Sequence, residues 1–265
     1  MRAPDAEIEV PFRGGGFEPR SIPWAAAVTL LALVAVWQVG CSAGWIPHLF
    51  LPAPLGVVRA LWALAISGQL WLHLSASLWR LVIGWTVGTV TGISVGLAVG
   101  LFTLARSPGM AVVSALFPIP KIALVPLFII WFGIGEGSKI ATLAFGVFFP
   151  TVISTVGGVD NVPRNLIRMG QSFGLSRLAI VRSIVLPGAL PAILSGFRIS
   201  VSIAIVLLVA AEMIGAQRGI GAFVLAAGNL YDTESLLAGI VVLSVLGLVL
   251  SWVISRLEQA LLSWR

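Results

Sequence analysis

The sequence predicts an all-α, polytopic membrane protein with six transmembrane helices. Three observations carry that prediction. First, 58% of the residues are hydrophobic and only 10% are charged, whereas a soluble domain has about 25% charged residues. Second, six apolar runs, at about 24–41, 79–103, 110–132, 138–158, 190–214 and 236–256, reach the ~18 residues a membrane helix needs. Third, Lys and Arg collect on alternate connections between those runs. The runs fill most of the chain. They leave one membrane domain, 23–258, between tails 1–22 and 259–265, and no room for a soluble catalytic domain.

Residues 1–22 are polar, mixed in charge and glycine-rich, unlike a signal peptide. The first span ends in "VWQVGC", where Gln38 stands in the place a lipoprotein cleavage box gives to Leu. Cys41 is the only cysteine, so no internal disulfide can form. The next stretch, "IPHLFLPAPLGVVRALWALAISG", is Pro-rich and then helical in pattern. It reads as an interfacial helix at the outer surface, with Trp62 and Trp71 in the aromatic belt.

In the second span Gly84, Gly88, Gly92, Gly96 and Gly100 recur every fourth residue. That spacing lays them along one helix ridge, where a neighbouring backbone can approach closely. The ridge serves static packing, or a smooth track along which helices shift. The third span holds Pro118, Pro120 and Pro126. Each removes a backbone donor and kinks or breaks the helix. Broken backbone at membrane depth is tolerated only inside protein or along a cavity, and Lys121 sits in the break. Pro150 is expected to interrupt the fourth span in the same way.

With the N-terminus inside, the inner side holds Arg2, Arg13, Arg20, Arg106, Arg164, Arg168, Arg177, Arg182, Arg256 and Arg265, against Arg59, Lys139 and Arg218 outside. This ten-to-three bias puts both termini inside. The net charge of +6 is thus a matter of topology rather than of nucleic-acid binding, since no basic–aromatic patch lies on a soluble surface. The two histidines, His48 and His73, lack metal-ligand spacing, and "GIGEGSKI" lacks the Gly-Lys-Ser/Thr order of a phosphate loop. The expectation is a non-enzymatic chain with no cofactor or metal of its own.

The connection 160–187 is basic and partly helical. Asp160 and Asn161 are candidate caps, and Pro163 suits a first turn. Leu166, Met169, Gly170 and Phe173 share one side of the wheel, and Arg164, Arg168, Gln171 and Ser172 the other. Gly174 suits a left-handed stop. A second helical piece, 176–186, is expected to end at Leu186-Pro187. By physics alone the segment either lies on the membrane surface or docks into a groove on another protein. Four charges fall within or near spans. Arg80 lies near a span end and can snorkel. Lys121, Arg198 and Glu212 lie deeper, and either line a solute path or bond to freed carbonyls and to one another.

"GQSFGLSRLAIVRSIVLPGALPAILSG" resembles the cytoplasmic loop of permease subunits of ATP-binding cassette (ABC) importers. In that family the loop carries Glu-Ala-Ala, then Gly, then Ile/Val-x-Leu-Pro. Gly174 and "IVLP" at 184–187 match, while Arg168, Met169 and Gly170 hold the Glu-Ala-Ala places, with the charge reversed at the first. "LPAPLGVVRAL", "PIPKIALVPLFIIWFGIGEGSK", "FFPTVISTVGGVDNVPRNLI" and "LVAAEMIGA" resemble the nitrate/sulfonate/taurine/bicarbonate branch, over a range from about residue 24 to the C-terminus.

The resemblance implies a type I importer permease in a bacterial inner membrane, paired with a second permease copy as a homodimer. It implies a cytoplasmic ATPase that binds ATP and Mg, and an extracytoplasmic binding protein that delivers a small anion or sulfonate-like solute. It places ATPase coupling on the 163–177 segment, at Arg164, Leu166, Arg168, Met169, Gly170, Phe173, Gly174 and Arg177. The alternative is an ion-coupled secondary transporter. It would need coupling carboxylates and internal repeats. Glu212 is the one candidate carboxylate, and no repeat is visible.

Overall fold

The structure, a computed structural model, describes residues 23–262. The tail 1–22 and Arg265 therefore lie outside the described residues, and with them Arg2, Arg13 and Arg20. The chain divides into two units, Met1–Leu55 and Gly56–Arg265. In the first, α1 (Pro23–Ser42) is an apolar helix. Its end is tied to the following turn: the Cys41 thiol donates to Leu51 O at 3.4 Å, and Gln38 Oε1 accepts the Leu55 N–H at 3.1 Å.

The second unit is built around α6. It comprises α2 (Pro54–Ile66, which crosses the division), α3 (Gln69–Leu101), α4 (Thr103–Leu116), a 3-10 turn (Lys121–Leu124), α5 (Val125–Phe132), α6 (Glu136–Asp160), α7 (Arg164–Ser172), α8 (Arg177–Ile180), a π turn (Val181–Val185), α9 (Leu186–Gly215), α10 (Ile220–Asn229) and α11 (Thr233–Leu261). Five helical stretches are long and apolar enough to cross a membrane, and α4 with the 121–132 segment forms a sixth apolar stretch bent by 89°.

The glycine ridge decides how α3 meets α6. A Cβ on Gly84, Gly88, Gly92, Gly96 or Gly100 would lie 2.5 to 3.0 Å from the nearest atom of Leu143, Ala144, Thr151, Thr155 or Val159, respectively. Only glycine admits a neighbour that close. The contact partners climb α6 in step with the glycines, so the two helices run parallel. The chain therefore leaves α3 at one end and enters α6 at the other. The bent α4–α5 stretch makes the return crossing, which brings the total to the expected six. α9 packs antiparallel on another side of α6, with Gly158 against Ala189 and Gly146 against Leu207. Thr142, Thr151 and Thr155 are buried along α6, and each donates back to the carbonyl four residues earlier at 2.7–2.8 Å. No hydroxyl in this set is left bare in an apolar interior.

Three expectations change. α3 starts at Gln69, ten residues before the expected span. Arg80 is thus three turns inside it and does not snorkel. α6 runs unbroken through Pro150, because packing by α3 and α9 on both sides outweighs the ~3 kcal/mol cost of one interior proline. Helix also continues through Leu186-Pro187. The Leu186 N–H bonds to Val181 O, a π-type step that shifts the ladder just where proline removes a donor.

At the end of the bundle away from the 160–187 connection, Arg80 gathers three helices. Its Nε and Nη2 donate to both oxygens of Glu136 at 2.5 and 2.8 Å, and its Nη1 donates to Glu212 Oε1 at 2.7 Å and to Arg218 O at 2.6 Å. Glu212 is 0% exposed and also accepts from the Ser77 hydroxyl at 2.8 Å and the Gly221 N–H at 2.8 Å. Gly219, with φ +136°, turns the chain closely around this carboxylate. At the opposite end Arg106 makes a two-toothed pair with Asp160 at 2.8 and 2.6 Å.

Two outcomes follow. Gly88→Ala puts a methyl 2.5 Å from Ala144 O and should destabilise the chain by about 1–3 kcal/mol. The same change at Gly157, where nothing lies within 4 Å, should stabilise it by about 0.4–1 kcal/mol. Unfolding midpoints in detergent measure both, and shifts of the same sign would contradict the ridge. Arg80→Met strands the Glu212 charge and should cost about 3–5 kcal/mol. Adding Glu212→Gln should recover part of that loss in the same assay, and no recovery would mean the pair is not what Arg80 stabilises.

Candidate functional site

The 160–187 connection leaves α6 at Asp160 and re-enters the bundle as α9. Asp160 does not cap α7, since its carboxylate is held by Arg106. Pro163 precedes the first turn of α7 instead, and no side chain caps it. Nine residues on, the helix closes in a Schellman turn. Gly174 has φ +73°, its N–H bonds to Gln171 O at 3.0 Å, and the Leu175 N–H bonds to Gly170 O at 3.0 Å. Ser176 then caps α8 by accepting the Ala179 N–H at 3.3 Å.

The expected apolar stripe divides in two. Gly170 is buried, and a Cβ on it would lie 2.9 Å from Ile184. Ile167 likewise packs on the Val162, Ile180 and Val185 cluster. Leu166 (40% exposed), Met169 (52%) and Phe173 (78%) point the other way, and Leu178 joins them. This second row is exposed and apolar. Arg164, Arg168 and Arg177 stand exposed around it, and no ion pair is found for them among the described residues. α7 therefore docks on its own protein through a short inner face and presents a second hydrophobic face outward. An exposed apolar face of this kind suits a membrane surface or a groove on another protein.

The deep charges do not form one cluster. Arg198 bonds to Glu258 at 2.7 Å and to Ser255 at 3.3 Å, both on α11. Glu212 is engaged by Arg80, Ser77 and Gly221, so it does not pair with Lys121 or Arg198. Lys121 donates to Phe117 O, a carbonyl released where the prolines stop α4, and its ammonium lies 4.6 Å from the Phe117 ring centre and 5.6 Å from that of Phe149. Lys139, counted as an outer-loop charge, is buried and donates to Gly135 O at 2.8 Å. Sequence reasoning missed Glu136 and misread Arg80. The signal lay in the pairing of a span arginine with the lone span glutamate, which only the longer α3 makes possible.

Residues 88–263 match the family model described as binding-protein-dependent transport system inner membrane component. A permease protein named for aliphatic sulfonates transport, SsuC of Escherichia coli (strain K12), is 38% identical over 92% of each chain. The taurine transport system permease protein TauC of the same strain is 38% identical over 89% of this chain and 88% of its own. Among solved structures, a chain of the MetNI methionine ABC transporter in an inward-facing conformation superposes with a TM-score of 0.61 at 22% identity, covering 80% of this chain and 98% of its own. That likeness speaks to the fold, and the sequence matches speak to descent. On those sequence matches, this chain belongs to the family of binding-protein-dependent transport system inner membrane components.

Proposed function

We propose that this chain is the membrane-spanning permease of an ATP-driven importer for a small sulfonate, and that α7 is its coupling helix. The observation that carries the reading is the exposed row Leu166, Met169 and Phe173 on a helix that lies in the connection between α6 and α9. The partner ATPase grips that row on the cytoplasmic side and binds the ATP and Mg, while this chain does no chemistry of its own. Arg164 and Arg168 meet acidic groups on the ATPase, which orients the contact more than it tightens it. The reversed charge at Arg168 relative to the family's glutamate thus asks for a reversed partner.

The arginine bias supports cytoplasmic termini, with tails 1–22 and 259–265 and the 160–187 loop on the inner side. A second copy of this chain completes the path as a homodimer, and an extracytoplasmic binding protein delivers the solute. Relatives named for aliphatic sulfonates and for taurine support the sulfonate class.

Liposomes containing this chain and ATP, without an ATPase, should accumulate no sulfonate. Adding a partner ATPase and binding protein of this importer should start uptake. Accumulation by the chain alone would end the importer reading. Gly174→Val should abolish uptake while membrane abundance stays unchanged. A Cβ at this position meets nothing within 4 Å, so the whole effect is the ~1–2 kcal/mol cost of a left-handed L-residue, and Gly174→Asn should retain most activity. Full uptake by the valine variant would show that the α7–α8 bend is not the coupling element.

A further inference from the structure

The break between α4 and α5 sets an unusual demand. Placing a lysine at membrane depth costs about 2.5–3.5 kcal/mol on insertion scales, so such a residue faces protein or water. Irregular backbone at that depth is likewise confined to protein or to a wet cavity. Lys121 combines both at one point. Arg80, Arg106, Lys139 and Arg198 each lie within 4.0 Å of a carboxylate. Lys121, among the described residues, has none. An ammonium carries three donors, and Phe117 O takes one of them.

A pocket of about 370 Å³ opens beside Lys121, between the break and the middle of α9. That volume lies within the range of small-molecule sites, roughly 300–1,000 Å³. Apart from Lys121 its walls are mainly aliphatic: Ile122 on one side, and Ile203, Val206 and Leu207 on the other, with Ser202 at the edge. No carboxylate lines it among the described residues. A cation beside an aliphatic wall is complementary to an anionic head on an aliphatic tail, and it offers nothing to a second, positively charged end.

We propose that this pocket is a solute subsite on the translocation path. The Lys121 ammonium takes the sulfonate head, the α9 wall takes the tail, and the pocket favours simple alkanesulfonates over the zwitterion taurine. The inference rests on the importer reading and deepens it.

The test keeps Lys121 in place and puts the reporter on the opposite wall. Ser202→Cys is made in a Cys41→Ser background, which leaves one thiol, since Cys41 is the only native cysteine. The full chain, with its ATPase, is placed in right-side-out and inverted vesicles and treated with thiosulfonate reagents of equal size, one bearing a sulfonate and one a quaternary ammonium. The anionic reagent should react about tenfold faster than the cationic one, the lower end of what a focused local charge achieves. Lys121→Gln should erase that preference and Lys121→Arg should keep it. Butanesulfonate should slow the labelling markedly more than taurine at the same concentration.

No labelling from either side, or equal rates unaffected by Lys121→Gln, would overturn the subsite, as would occupation by lipid that short sulfonates cannot displace. Equal protection by taurine would overturn the selectivity. Butanesulfonate uptake by the wild-type complex is measured alongside. Uptake with flat labelling retires the subsite and leaves the importer reading standing. The expected labelling without sulfonate uptake retires the importer's solute and leaves the subsite.

Discussion

Hydrocarbon offers a polar group no partner, and the arrangement of this chain follows from that one constraint. A charge or a bare peptide group at membrane depth must find its partner in the protein or in water. Arg80 meets the demand with two carboxylates and a carbonyl, and so brings α3, α6 and the α9–α10 turn to one point. Glu212, fully buried, is satisfied by three donors from two other elements, Ser77 and Arg80 on α3 and the Gly221 N–H at the start of α10. Replacing such a pair by apolar residues of similar volume is often neutral, whereas removing one member is severe. The cluster therefore specifies which helix ends meet more than it adds net stability. Glycine does the complementary work along the length of the bundle. Lipid tails are as apolar as leucine, so helices gain little from hydrophobic exclusion and must gain from close packing.

Much of this was legible in the sequence because it is local or periodic. The period-four glycines identify a packing ridge without knowledge of the partner, and the partner is α6 in parallel register. Gly174 is readable as a helix stop from the residues on either side of it. What was not legible depends on residues far apart in the chain. Arg80 and Glu212 are 132 positions apart, and nothing in their neighbourhoods pairs them. Pro150 and Leu186-Pro187 read as breaks, because proline's cost is local while the packing that absorbs it is tertiary. The α7 stripe was misjudged for a subtler reason. A wheel gives the side of a helix but not which part of that side the protein already covers, and here Gly170 and Ile167 are covered while Leu166, Met169 and Phe173 are not.

The same geometry suggests how a push on α7 would travel. From Arg177 to Gly215 the chain is one helical stretch of 39 residues, interrupted only by the π turn at Val181–Val185. At 1.5 Å per residue, the distance from Arg177 to Ser202 is about 38 Å. A single rod thus carries the exit of the 160–187 connection, the wall of the Lys121 pocket and, further on, Glu212. If α9 is displaced at its loop end, the pocket wall must follow, because a packed helix shifts as a body rather than bending by degrees. The other wall of the pocket belongs to the proline break, where the Lys121 ammonium lies 5.6 Å from the Phe149 ring centre on α6. Relative motion of α9 against the break would therefore change the width of the pocket.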